Sequence, residues 1–186
     1  KKLAKQNIDK IKNLINTQNV LVGIEPSSLL SFRDEYPSLV EEDIEQLNSN
    51  IYLFDEFFAK EIEQNNISAE QFTEKEEKIL LHGHCQQKAL IGSVYMEKML
   101  SLPKNYSVEV IPSGCCGMAG SYGYEKRHYE KSKQIADLHL TKAINKADKS
   151  TIISAPGTSC REQIKHFTQR KALHPIEIMY NALKTK

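Results

Sequence analysis

The sequence lacks a strong excess of charge, a long hydrophobic run and a secretory signal. Its 186 residues carry a formal net charge of +1, so the charge pattern does not point to a nucleic-acid partner. No apolar run approaches the roughly 20 residues that a helix needs to span a bilayer. We therefore expect a cytoplasmic protein, with peripheral attachment to the inner face of the cell membrane as the alternative.

Two nucleotide-binding motifs are also missing. The segment from Gly114 to Gly123 is rich in glycine, but it matches neither G-x-x-x-x-G-K-[ST] nor G-x-G-x-x-G. A phosphate-binding loop is therefore not expected there. The chain begins with Lys1 rather than Met, and we expect it to be a fragment of a longer polypeptide.

Cysteine is scarce, and its four positions are Cys85, Cys115, Cys116 and Cys160. Adjacent cysteines rarely form a disulfide with each other, because the geometry is strained. In a reducing compartment, a small set of cysteines is more often metal-binding or catalytic than structural. The alternative is four unrelated buried thiols, which behave as small apolar side chains.

Apolar segments alternate with amphipathic ones, which is typical of an α/β fold with a parallel sheet. The predicted strands are Val20–Ile24, Lys78–Leu81, Ser107–Ile111, Thr151–Ser154 and Ala172–Leu173. The predicted helices are Leu3–Ile15, an acidic segment Glu41–Gln64, Gln87–Leu102, Tyr124–Ala147, Arg161–Phe167 and a last one that starts at Pro175. We expect a Rossmann-like layered architecture, with the strand at Val20 in the same sheet or packed beside it.

Every cysteine follows a predicted strand. Cys85 comes shortly after the first strand of the second half, the Cys115–Cys116 pair after the next, and Cys160 after the third. Ligands bind at the carboxyl edge of an open parallel sheet. We therefore expect four thiols to meet at one edge, where their thiolates would select an iron–sulfur cluster, zinc or copper(I).

Glycines and histidines surround these cysteines. Gly114 and Gly117 flank the cysteine pair and let the backbone turn sharply beside a bulky group. His84, next to Cys85, is expected to be a ligand or to support one. His82, one residue further back, is expected to pack or to cap a helix. The remaining histidines are expected to be ordinary surface or turn residues.

Other kinds of thiol chemistry stay open at this point. A hydrolase would pair Cys85 or Cys115 with His84 as the base, but it would leave Cys160 without a role. A zinc module would use the thiolates for stability and for docking partners. A thiol–disulfide device would use Cys115 and Cys116.

The stretches LHGHCQQKAL, IPSGCCGMAGSYGYE and GTSCREQI resemble the cysteine-rich CCG domain family. This family includes the heterodisulfide reductase B subunit and the iron–sulfur subunit of glycolate oxidase. The stretches are most similar to the C-terminal region of FAD-linked D-lactate dehydrogenase-type oxidases. Cys85 matches the first family cysteine, Cys115-Cys116-Gly117 the CCG motif, and Cys160 the last cysteine of Cys-x-x-Cys. Gly157 stands where the family has the first cysteine of that pair.

The resemblance implies a division of the chain and a cofactor. Residues 1–36 would be the tail of a preceding CCG repeat, 37–76 a helical connector and 77–186 the C-terminal CCG domain. The four cysteines would hold an iron–sulfur cluster, of the 4Fe-4S type or another, with His84 and Gly117 beside it. Zinc is the alternative metal.

The resemblance also implies a function for the longer polypeptide. An FAD domain outside this chain would oxidise a 2-hydroxy acid of the D-lactate or glycolate type. Electrons would pass through ferredoxin-like domains of the same polypeptide and through this domain to an electron acceptor. The chain on its own is expected to be inactive.

Overall fold

Parallel strands form two sheets in the computed structural model, which describes residues 1–184. A two-stranded sheet pairs β1 (Leu21–Gly23) with β2 (Ile51–Leu53). A four-stranded sheet has the order β4–β3–β5–β6, formed by β3 (Glu77–Leu81), β4 (Tyr106–Val110), β5 (Ile152–Ser154) and β6 (Ala172–Leu173). Each of these strands runs parallel to its neighbours.

Helices connect the strands and cover the sheets. Those before β3 are α1 (Lys2–Ile11), α2 (Pro26–Leu29), α3 (Tyr36–Leu39), α4 (Glu45–Asn48) and α5 (Phe54–Glu63). Those after it are α6 (Cys85–Leu90), α7 (Val94–Leu100), α8 (Tyr129–Leu138), α9 (Leu140–Lys146), α10 (Thr158–Thr168) and α11 (Pro175–Ala182). The predicted α/β architecture of parallel strands flanked by helices is confirmed. No helix within residues 1–184 is both long and apolar enough to cross a bilayer.

The four-stranded sheet separates two layers of apolar side chains. Leu80 and Ile153 face one layer, which includes α9, α10 and the buried cysteines Cys116 and Cys160. Ile79 and Leu81 face the other, which includes α7 and α11. Neighbouring residues point to opposite layers because side chains alternate along a strand. The candidate site therefore continues one of the two cores at its edge.

Two long predicted helices are each divided. The predicted Gln87–Leu102 helix is α6 and α7, separated at Gly92, whose φ of +79° is outside the helical range. The predicted Tyr124–Ala147 helix begins only at Tyr129 and is interrupted at His139, with φ −139° and ψ −48°. Apolar periodicity continues across both interruptions, so a periodic pattern alone could not reveal them.

The N-terminal half departs most from its predicted form. The strand at Val20 is shorter than predicted, and Ile24 is 58% exposed. This strand, β1, pairs with β2, which lies inside the segment Glu41–Gln64 that was predicted to be helical. Ile51 and Leu53 are buried and face a small core of their own, because alternating apolar residues suit a half-buried strand. The strand at Val20 thus packs beside the larger sheet rather than within it.

Candidate metal centre

Three segments bring the cysteines to the carboxyl edge of the larger sheet. Cys85 is the first residue of α6, four residues beyond the end of β3. Cys115 and Cys116 lie in the loop after β4, and Cys160 lies in the first turn of α10 after β5. Because β4, β3 and β5 are neighbours in the sheet, the three segments emerge side by side. The structure therefore brings all four cysteines together.

The four thiol groups form a chain of contacts. Cys115 contacts both Cys85 and Cys116, and Cys116 also contacts Cys160. All four are free cysteines. Cys85 and Cys115 are partly exposed, whereas Cys116 and Cys160 are buried. The site therefore has an outer pair and an inner pair of sulfur atoms.

Hydrogen bonds among the four thiols lower the pKa of two of them and raise the pKa of the other two. Hydrogen bonds from Cys116 and then Cys85 lower the pKa of Cys115. A hydrogen bond from Cys116, against the effect of burial, lowers the pKa of Cys160. The pKa of each hydrogen-bond donor rises instead. Hydrogen bonding to Cys115 and burial raise the pKa of Cys85 and of Cys116. Thiolate, the form that binds metal, is thus favoured at one cysteine of each pair.

The backbone at Gly117 allows this arrangement. Gly117 has a φ of +95°, and a Cβ there would overlap the carbonyl oxygen of Ser132. Its N–H donates to Cys115 Sγ at 3.2 Å. The Gln163 side chain of α10 donates to Cys116 O at 3.0 Å and to Ser132 Oγ at 2.7 Å. The loop is therefore held against α8 and α10 at the point where only glycine fits.

His82 packs in the interior, as predicted, and it also lies beside the inner pair of cysteines, which was not predicted. It is fully buried, and Nδ1 lies 2.7 Å from Ser113 Oγ. One ring nitrogen of His82 and the sulfur atoms of Cys116 and Cys160 all lie within 4.8 Å of one another. Proximity to Cys85 in the sequence favoured His84 instead; that His82 directly follows β3 places it at the sheet edge but does not show which side chains it contacts.

His84 lies beside Cys160 rather than beside its sequence neighbour alone. It precedes α6 and is 8% exposed. A Cβ built on Gly157 would lie 2.6 Å from His84 Cδ2 and 3.2 Å from Cys160 Sγ. The imidazole therefore fills the space where a side chain at position 157 would sit.

Lys88 adds a positive charge to the outer side. Its Nζ donates to the carbonyl oxygens of Ser113 and, at 3.0 Å, of Gly114. Burial lowers the pKa of Lys88, and the four cysteines act in the opposite direction. A cation near several thiolates offsets their mutual repulsion. The same side chain ties α6 to the loop that carries Cys115.

The donor set fits a soft metal or an iron–sulfur cluster. Four thiols and an imidazole nitrogen converge on one region, and soft sulfur ligands select these metals. Within the described residues, the free nitrogen of His82 and Nδ1 of His84 have no hydrogen-bond partner. Buried polar atoms normally have one. The residues therefore offer donors that a bound group would satisfy.

Comparison with known proteins points to dehydrogenases. The chain is 29% identical to D-2-hydroxyglutarate dehydrogenase of Escherichia coli (strain K12) over 184 residues, which are 98% of this chain and 17% of that protein. A Pseudomonas putida D-2-hydroxyglutarate dehydrogenase is also 29% identical, over 181 residues. One subunit of the anaerobic glycerol-3-phosphate dehydrogenase of E. coli is 26% identical over 185 residues, 98% of this chain and 46% of its own length.

The relatives are much longer than this chain, which spans 17% of the D-2-hydroxyglutarate dehydrogenase and under half of the glycerol-3-phosphate dehydrogenase subunit. No family model and no solved structure matches the chain. The expected similarity to oxidoreductases is confirmed at the level of dehydrogenases. The substrates in these names describe the relatives.

Proposed function

We propose that this chain is the electron-transfer part of an oxidoreductase and holds an iron–sulfur cluster on Cys85, Cys115, Cys116 and Cys160. The observation that supports it best is the chain of contacts among these four thiols at one sheet edge. Four thiolates are the usual complement for such a cluster. A bound cluster would accept and release single electrons.

The protein around the cysteines suits a negatively charged group. The Gly117 N–H points at Cys115, Lys88 lies on the outer side, and α10 begins beside Cys160. Backbone N–H groups, the positive end of a helix and a cation all stabilise negative charge. These groups would hold the charge of the thiolates in place and limit access of water to the inner pair.

The greater length of the relatives supports a wider proposal for the whole protein. An FAD domain and ferredoxin-like domains elsewhere in the polypeptide would deliver electrons from a 2-hydroxy acid, and this domain would pass them to an acceptor. Two relatives named for D-2-hydroxyglutarate agree with that class of substrate. Within the chain, residues 1–36, 37–76 and 77–186 would be the repeat tail, the connector and the CCG domain.

The proposal is tested by removing the central cysteine pair. The full-length protein and its Cys115→Ala/Cys116→Ala variant are reconstituted anaerobically with iron and sulfide. We expect the variant to lose the iron of this site and to transfer electrons to the acceptor at least tenfold more slowly. A Ser28→Ala variant, altered near the end of the smaller sheet, is the control.

Two results would reject parts of this proposal. Equal iron in the wild type and the cysteine variant means that no cluster binds here. Loss of iron with an unchanged rate of electron transfer means that the cluster exists but does not carry the electrons. Circular dichroism of each variant verifies that the fold is retained.

A zinc site is the second candidate, because one nitrogen and two sulfur atoms lie within 4.8 Å of one another at His82, Cys116 and Cys160. Zinc prefers N and S ligands in tetrahedral geometry. Such a site would stabilise the domain or a docking surface without redox turnover. One zinc per site, without iron or sulfide, would favour this candidate.

A further inference from the structure

His82 has a polar ring in a fully buried position. Its relative exposure is 0%, and Nε2 has no hydrogen-bond partner among residues 1–184. A buried polar atom without a partner destabilises the fold, so it usually pairs with a protein group or a ligand. One ring nitrogen of His82 lies within 4.8 Å of the sulfur atoms of both Cys116 and Cys160. Because Nδ1 contacts Ser113 Oγ, Nε2 is the ring nitrogen left available to a group bound beside the inner sulfur pair.

The rest of the residue is held firmly. The His82 N–H donates to Ser154 O at 2.8 Å, which extends the pairing of β3 with β5. Nδ1 lies 2.7 Å from Ser113 Oγ, and Ser113 is itself buried. Metal-binding histidines generally use one ring nitrogen for such an orienting contact and the other for the metal. Ser113 and the strand edge therefore fix the ring, and Nε2 is the nitrogen that has no partner among residues 1–184.

We propose that His82 binds the metal group directly through Nε2, so that the site combines a nitrogen donor with its sulfur donors. This inference rests on the proposed function and adds a ligand to it. Gly157 removes one sulfur from the expected family set, and the imidazole of His82 supplies a donor on the same inner side. Cys116 and Cys160 are its neighbours in the set.

A nitrogen ligand changes the charge of the site. A neutral imidazole in place of a thiolate removes one negative charge, which makes reduction easier. Histidine ligation raises the reduction potential of iron–sulfur centres for this reason. His82→Cys should therefore keep a bound group but shift its reduction potential downwards.

The competing arrangement is a hydrogen bond from His82 to the Cys160 thiolate. Direct ligation places nitrogen next to iron, whereas a hydrogen bond leaves sulfur between them. The two arrangements differ in the strength of the magnetic coupling between the nitrogen nucleus and the unpaired electron. This coupling can be measured in the reduced protein without an activity assay.

The experiment uses the full-length protein labelled with ¹⁵N-histidine, reconstituted anaerobically with iron and sulfide and then reduced. Pulsed electron paramagnetic resonance should show strong ¹⁵N coupling in the wild type. The coupling should disappear in His82→Cys and remain in His84→Gln, the matched control with a second histidine at the site. If His82→Cys does not fold, Ser113→Ala is used, and its loss of the orienting contact should change the coupling.

Each other outcome overturns the inference. Only weak ¹⁵N coupling in the wild type assigns His82 to hydrogen bonding. Coupling that persists in His82→Cys, is lost in His84→Gln or is unchanged in Ser113→Ala places the ligand elsewhere. Iron and sulfide analysis is done first: a protein in which no cluster assembles on these cysteines contradicts the proposed function as well, whereas a cluster without strong coupling contradicts the inference alone.

Discussion

The two sheets use the same backbone arrangement, but only one carries sulfur. In the smaller sheet, β1 leads through Glu25 and Pro26 into α2. In the larger sheet, β5 leads through Pro156 into α10, whose first turn holds Cys160. A strand, a proline turn and a helix thus recur, yet the smaller sheet has Ser27 and Ser28 in this region. The strand, turn and helix bring side chains to the carboxyl edge of each sheet, and the residue types at that edge determine whether it can bind a metal.

The smaller sheet also contributes to the edge of the larger one. The Glu25 carboxylate accepts hydrogen bonds from the Thr158 N–H at 2.9 Å and the Thr158 hydroxyl at 2.8 Å. His174 Nε2 lies 3.0 Å from Ile24 O. The smaller sheet therefore helps to position the start of α10, and hence Cys160, without supplying a thiol.

The largest expected effect comes from removing a cysteine at the edge of the larger sheet and comparing it with a serine at the edge of the smaller one. Cys160→Ser should abolish retention of the cluster, because a serine hydroxyl is a poor replacement for a soft thiolate. Ser28→Ala, in the corresponding part of the smaller sheet, should leave the iron content within about 10% of the wild type, since no thiolate is lost. Iron and sulfide per chain are measured after anaerobic reconstitution. Equal losses in both variants would contradict the assignment of sulfur chemistry to the larger sheet.

The second prediction compares glycines at the two sheets. Gly117→Ala should lower the free energy of unfolding by about 4 kcal/mol, since it combines a positive φ with overlap of a backbone oxygen. Gly23→Ala should cost about 1 kcal/mol, because its Cβ meets the movable Leu29 side chain. Denaturant unfolding of both variants measures the difference. Similar losses at the two positions would show that the loop after β4, which holds Gly117, is less tightly held than we infer.

The third prediction concerns a buried carboxyl that links the two sheets. Asp55 in α5, directly after β2, accepts a hydrogen bond from Gln87 Nε2 of α6 at 2.7 Å. Burial raises its pKa from 3.8 to about 6. The folded state therefore binds more protons than the unfolded state between about pH 4 and pH 6, and stability falls as pH rises through this window.

Asp55→Asn should remove this pH dependence. At pH 7 the variant should be more stable by at most about 3 kcal/mol, since it no longer buries a charge. Its amide could also donate to Gln87 Oε1, a buried atom without a partner in the described part of the chain. Unfolding by denaturant at pH 5 and pH 7.5 tests this, with Asp148→Asn on the surface as the control. An unchanged pH profile would show that Asp55 is not the titrating group.

The smallest expected effect removes the charge that connects the sheets. Glu25→Gln keeps a hydrogen-bond acceptor near Thr158 but loses the attraction between a carboxylate and the start of a helix. Burial raises the pKa of Glu25, but hydrogen bonds from Thr158 and Ser27 outweigh it and lower the pKa overall. The variant should lose less than about 1 kcal/mol at pH 7. A larger loss would mean that the smaller sheet contributes more to positioning α10.

The fold class and the convergence of the cysteines were predictable from the sequence. Each cysteine segment follows a short β-rich run such as Ile152–Ser154, and parallel strands have their carboxyl ends at one edge. Only the order of the strands along the chain is needed to place the cysteines there. The exact ends of the helices do not matter, which is why the convergence was predicted although two helices were wrongly extended.

The remaining features depend on tertiary contacts. β2 was missed because Ile51–Leu53 lies among acidic helical residues and becomes a strand only by pairing with β1. The place of His82 depends on Ser113, 31 residues away, and its spacing from Cys85 carries no such information. The proximity of His84 to Gly157 likewise requires the starts of α6 and α10 to lie side by side.

The most direct test of the central claim is the native metal content at the larger sheet. Iron, acid-labile sulfide and zinc are measured in the full-length protein purified without oxygen, and in its Cys115→Ala/Cys116→Ala variant. The account predicts that the variant has less iron and less sulfide than the wild type, in similar amounts, with equal zinc. A variant that differs from the wild type only by the loss of zinc would contradict it.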